Sequence, residues 1–218
     1  MIKLTIENVV RCVLFALIPA LIFYLLAIYV LSGFGFTLIE ILRDPAQQTG
    51  QSTFAGFVSS IGIWLWISSA AICFFGAATG ARDGRFRRRE VLVLAGLLSL
   101  TLGVDDFFMI HDRYVKQVYC YVGYAFLATT ILVRHIKAIV EIDVAAYLVA
   151  GGLLALSIAT DLAQRRIPLD YETTQMFEEG FKFTGAAVWL YFCTRVAAYQ
   201  AGGEDSAVQR NPSQQQLL

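Results

Sequence analysis

The chain has 218 residues, 57% of them hydrophobic and 16% charged, with 17 acidic and 17 basic side chains. That mix lies on the membrane side of the usual globular composition. A net charge of zero makes no case for nucleic acid, and none is expected as a partner. Cys12, Cys73, Cys120 and Cys193 are scattered without a CxxC pair, which reads as small buried apolar residues.

Val9 to Leu31 is an apolar run broken by Arg11 at its start and Pro19 inside. A spanning helix needs about 20 apolar residues, so this run predicts an uncleaved anchor. Residues 32–56 do not span. Phe34, Phe36, Leu38, Ile39, Ile41 and Leu42 suggest a short interfacial helix, broken at Asp44-Pro45 and followed by a polar loop from Gln47 to Thr53. Phe57 to Thr79 is the second span. Five arginines follow between Arg82 and Arg89, in the manner of a topology signal, with anionic-lipid binding as the other reading.

Val91 to Asp112 is the third span, Val118 to Val133 the core of the fourth and Val144 to Asp161 the fifth. Met176 to Ala198 is the sixth. The tail from residue 202, rich in Gln, Gly and Ser, reads as disordered and cytoplasmic. The expected fold is therefore all-α: an integral membrane bundle of six transmembrane helices over residues 1–201. An even number of spans puts both termini on one face. Lys3, Arg11, the Arg82–Arg89 cluster, Arg134, Lys137 and Arg195 share that face, which makes it the cytoplasmic side, of a bacterial inner membrane in this reading.

The third span ends in Gly103-Val104-Asp105-Asp106-Phe107-Phe108-Met109-Ile110-His111-Asp112-Arg113. A charge at membrane depth costs roughly 2.5–3.5 kcal/mol by insertion scales unless paired, hydrated or protonated. At 1.5 Å per residue, Asp105 and Asp106 lie roughly 25 Å from the cytoplasmic end, Asp161 about 27 Å, Glu178 and Glu179 about 25 Å and Lys182 about 20 Å. Three helices thus bring acidic groups to one level, with Tyr114, Tyr119, Tyr121 and Tyr124 beside them. Interface marking is the plainer account of Asp112, Arg113, Arg165 and Arg166. On an ideal helix His111 is offset about 120° from Asp105, and a break between Phe108 and His111 would change that. Glu178 and Glu179 stand four and three residues before Lys182, the spacing of an internal ion pair.

An excess of carboxylates with one histidine points first to a divalent metal, Zn²⁺ or Mn²⁺. Asp106, His111, Asp161, Glu178 and Glu179 are the candidate ligands. Asp105, Asp106 and Lys182 are the candidate catalytic residues. A metal-bound water would attack a lipid-like substrate, and Lys182 or Arg166 would hold a phosphate or an oxyanion. The order Ser99, Asp105/Asp106, His111 on an early helix resembles the CREST superfamily of membrane hydrolases, which includes alkaline ceramidases. The resemblance covers one helix. The paired histidines of that superfamily's last helix are replaced by Glu178-Glu179-x-x-Lys182, its seventh helix is missing, and its activity is not carried over.

Two other classes stand beside hydrolysis. A non-catalytic membrane subunit, binding a ligand or a protein partner, needs nothing special of the sequence. A proton- or cation-coupled transporter would use the acids as a relay, but the inner half offers no matching carboxylates. A bis-histidine haem is set aside because His111 and His135 fall at opposite faces. A Schiff base on Lys182 is chemically open but has no further support.

Overall fold

The computed structural model describes residues 10, 13–42, 45–52, 54–79, 86–163 and 170–199, and every regular element among them is helical. The tail from residue 202, Cys12 and the arginines at 82, 85, 165 and 166 lie outside the described residues. The chain divides into two compact units, Met1–Phe57 and Val58–Leu218.

The first unit opens on a π-helical turn, Val13–Leu17, that leads into α1 (Ile18–Gly33). Pro19 sits in the first turn of α1, where its missing N–H costs least, and the widened turn lies just ahead of it. The expected anchor is therefore a π turn joined to a 16-residue α-helix, in place of one straight span. Next come α2 (Leu38–Leu42) and α3 (Pro45–Thr49). A reciprocal cap starts α2: Thr37 N–H donates to Glu40 Oε2 at 2.8 Å, and Glu40 N–H donates to Thr37 Oγ1 at 3.3 Å. The polar loop expected from Gln47 is helical as far as Thr49. Pro45 suits a first helical position, and the Thr49 hydroxyl closes the turn on Pro45 O at 2.9 Å.

The second unit is built from α4 (Phe57–Thr79), α5 (Phe86–Phe108), α6 (Ile110–Arg113), α7 (Gln117–Ala163) and α8 (Tyr171–Ala198). Among the described residues, three helices are long and apolar enough to cross a membrane: α4, α5 from Arg88, and α7. Their outward side chains agree with contact to lipid, since Trp64, Phe75, Phe126 and Val133 are all exposed. Six separate spans are not shown.

The 47 residues of α7 do not form one rod. Tyr121 Oη donates to Asp161 Oδ2 at 2.7 Å, although a straight helix would hold these residues about 60 Å apart. The backbone leaves helical angles at His135 (φ −120°, ψ 20°) and Asp143 (φ −171°, ψ 81°). Asp143 then caps the returning limb, its Oδ1 accepting from Ala146 N–H at 3.0 Å. Tyr147 ties the limbs together by donating to Ala128 O at 2.7 Å. The two limbs, near 117–134 and 144–163, cover the stretches expected as the fourth and fifth spans.

The predicted third span is shorter than expected. Met109 adopts left-handed angles (φ 51°, ψ 45°) and separates α5 from α6. Its carbonyl is reused by the next turn, accepting from Arg113 N–H at 3.0 Å.

Packing in the second unit is tight and uses small residues, as helices in lipid require. A Cβ on Gly185 would stand 3.0 Å from Leu154, so α8 approaches the returning limb of α7 closely. A Cβ on Gly103 would stand 3.1 Å from the Cβ of Trp66. Trp66, Leu92, Ile131, Ile139, Trp189 and Phe192 fill the core. Tyr147 meets Trp189 and Phe192 edge-on, at 5.6 and 5.1 Å between ring centres.

Opposite charges organise one end of this unit. Arg88 donates from Nε to Val196 O at 3.0 Å and from its terminal nitrogen to Ala197 O, closing the last turn of α8. Arg134 pairs with Glu90 at 2.6 Å, and Arg195 stands 3.8 Å from Asp143. The arginine that read as a topology signal at position 88 therefore also caps a helix.

Candidate functional site

The other end of the second unit carries Asp105, Asp106, His111, Asp161, Glu178, Glu179 and Lys182. The α5 break puts His111 on Asp105, which regular helix geometry would not do. Asp105 Oδ1 accepts the His111 main-chain N–H at 2.8 Å, and Oδ2 meets His111 Nδ1 at the same distance. Asp105 is buried, with 4% of its surface exposed. The second ring nitrogen, Nε2, is 3.6 Å from Asp112 Oδ1, beyond hydrogen-bond range.

Asp106 points to a different set of partners. Trp66 Nε1 donates to its Oδ2 at 3.2 Å, and Lys182 Nζ is 3.8 Å from its Oδ1. Lys182 also donates to Glu179 Oε1 at 2.7 Å. The lysine of α8 thus bridges a carboxylate on its own helix and one on α5. Glu178 accepts from Gln175 Nε2 at 2.8 Å. Asp161 accepts from Tyr121 Oη and from Gln117 Nε2.

Some of these groups line a cavity of about 240 Å³, while Asp161, Gln117 and Gln175 lie outside its lining. Its walls are apolar, from Leu98 and Leu102 on α5 and Ala125, Leu154, Ala155 and Ile158 on the two limbs of α7. Asp105, Asp106, His111, Glu178 and Lys182 line it too, with Trp66, Tyr121 and Tyr124. Glu179 borders a smaller neighbouring recess with Asp106 and Lys182.

The three candidate catalytic residues, Asp105, Asp106 and Lys182, therefore face one cavity. The five candidate ligands Asp106, His111, Asp161, Glu178 and Glu179 are not gathered round one point. Asp106 and Glu179 share Lys182, whereas Asp161, Glu178 and His111 are held by Tyr121 with Gln117, by Gln175 and by Asp105. Among the described residues no three of His, Cys, Asp or Glu form a group able to hold a metal ion. Ser99 stands apart from the carboxylates. Its Oγ donates to Ala95 O at 2.7 Å and accepts from Trp189 Nε1 at 2.8 Å, a link inside the core.

Trp66, Gln117 and Gln175 belong to the site and carry no motif in the sequence. An indole N–H inside a span needs an acceptor, and that requirement was the available signal for Trp66. Ahead of these residues, α8 begins at a true cap: Asp170 accepts Thr173 N–H at 2.9 Å and the Thr173 hydroxyl at 2.7 Å. The Thr173 side chain and N–H hold the Asp170 carboxyl below its ordinary range.

The family model for a domain of unknown function, DUF8692, matches residues 12–196, which include every residue of this site. The chain belongs to that family. No curated protein and no solved structure matches it.

Proposed function

We propose that the chain is an integral membrane protein that binds a small, single-chain amphiphile between α5, α7 and α8. The observation that carries this reading is the cavity itself, lined by apolar side chains of α5 and α7 together with Asp105, Asp106, His111, Glu178 and Lys182. Apolar walls suit an acyl or alkyl chain, and a few convergent polar groups fix the orientation of its head. A volume of about 240 Å³ falls below the roughly 300–1,000 Å³ of sites for drug-sized ligands, which favours a slender molecule.

In this reading the protein has six spans: α1 with its π turn, α4, α5, the two limbs of α7, and α8. Asp106 and Glu179 offset the cost of Lys182 in α8. Both termini lie in the cytoplasm, supported by Arg88, Arg134 and Arg195 at the end opposite the cavity. The site then faces the outer leaflet of the cytoplasmic membrane. A metal-dependent hydrolase is less well supported, because among the described residues no three of the candidate ligands form a group able to hold a metal ion. A carrier cycle and a protein partner draw on no specific contact here.

Native mass spectrometry of the purified protein with p-nitrophenyl decyl ether tests the reading. One adduct per chain is expected. Ala128→Phe, which puts a ring into the cavity, should remove it. Equal adduct on both proteins, or none on either, would refute the site.

A further inference from the structure

We infer that the cavity is hydrolytic without a metal, and that His111 is the general base for cleavage of a carboxylic ester of a single-chain amphiphile. The inference rests on the amphiphile-binding reading above. Three features carry it. Asp105 grips both the main-chain N–H and the Nδ1 of His111, which fixes the ring and selects the tautomer with Nδ1 protonated. Nε2 is left outside hydrogen-bond range of its nearest carboxylate, Asp112, so its lone pair is available to a water. Lys182, held by Glu179 and Asp106, lines the same cavity and has an N–H to spare.

The left-handed Met109 supports the same conclusion. A non-glycine residue in that region is strained, and such strain persists where the surrounding structure enforces it. Here the strained residue is what turns His111 back onto Asp105. A regular helix would have left the two side chains on different faces.

The step balances with ester and water alone. Water attacks the acyl carbon and gives a proton to His111 Nε2. The carbonyl oxygen becomes an oxyanion, stabilised by the Lys182 ammonium. The C–O bond to the alcohol then breaks, and Nε2–H returns its proton to the departing oxygen. The products are a fatty acid and an alcohol. His111 and Lys182 are the catalytic residues, and Asp105 is a positioning residue.

The test uses full-length protein in detergent with p-nitrophenyl decanoate, beside binding of the decyl ether. The wild type should release nitrophenol about 10²–10⁴ times faster than His111→Ala, the usual range for a general base. Added imidazole should restore part of the His111→Ala rate. Asp105→Asn should lower kcat at least tenfold while leaving KM within about twofold, a split that misfolding would not give. Chelators should change nothing. Release no faster than in His111→Ala, with the ether still bound, overturns the inference and leaves the binding reading intact. Loss of activity on chelation overturns the metal-free chemistry. Failure to bind the ether removes both.

Discussion

Asp105 holds His111 by two hydrogen bonds of 2.8 Å, one to the main-chain N–H and one to ring Nδ1. The pair spans the break at Met109, so this one carboxylate joins the end of α5 to the start of α6. Asp105→Ala should leave both donors without an acceptor and cost about 1–3 kcal/mol. Asp105→Asn keeps one acceptor and should cost less. Thermal unfolding in detergent reads both, and equal losses would mean the bonds do not hold the break.

Met109 itself gives an independent check. Its left-handed backbone suits glycine and is worst for a β-branched residue. Met109→Val should destabilise by roughly 1–2 kcal/mol, whereas Met109→Gly should be near neutral. A Val variant as stable as the wild type would show that the strained turn is absent in the protein.

Lys182 is shared between Glu179 at 2.7 Å and Asp106 at 3.8 Å. Lys182→Met should strand both carboxylates and cost on the order of 1–3 kcal/mol, less than a fully buried pair because the groups keep some exposure. Adding Asp106→Asn should then cost little more, or restore stability. A double-mutant cycle with strictly additive losses would exclude the bridge between α5 and α8.

The Asp170 cap predicts an acid-sensitive start to α8. Thr173 lowers the carboxyl from its ordinary value of 3.8. A lowered carboxyl stabilises fully above the unfolded-state value and loses its contribution as pH falls through the folded one. Wild type and Asp170→Ala should therefore differ in stability at neutral pH and converge as acid protonates the folded carboxyl, below its ordinary value. A gap that persists at the lowest pH would assign the effect to packing.

The apolar runs were legible because hydropathy reports span length directly, and α4 matches its predicted limits at Phe57 and Thr79. Counting along helices gives depth, and depth brought Asp105, Asp106, Asp161, Glu178, Glu179 and Lys182 to one level; of these Asp105, Asp106, Glu178 and Lys182 line the cavity, and Asp161 and Glu179 do not. Partners were not legible. Which carboxylate takes Lys182 depends on rotation and tilt between α5 and α8, which no local pattern encodes. The break at Met109 has no glycine or proline to announce it, so the Asp105–His111 pairing could be framed only as a consequence of an unseen kink. The metal expectation rested on an excess of carboxylates over Lys182 at one depth, with His111 as a further ligand. It did not anticipate that Trp66, Tyr121, Gln117 and Gln175 would each supply a donor.

The central claim is that one amphiphile lies with its head at Asp105, His111 and Lys182 and its tail between the limbs of α7. Photolabelling tests it most directly, using two decyl probes with a diazirine at the head or at the tail tip, followed by peptide mapping. The head probe should mark residues 105–112 and 178–182. The tail probe should mark residues 125–129 and 151–158, and Ala128→Phe should abolish both patterns. Labels scattered over lipid-facing residues such as Phe75 and Tyr191, regardless of where the diazirine sits, would contradict the account.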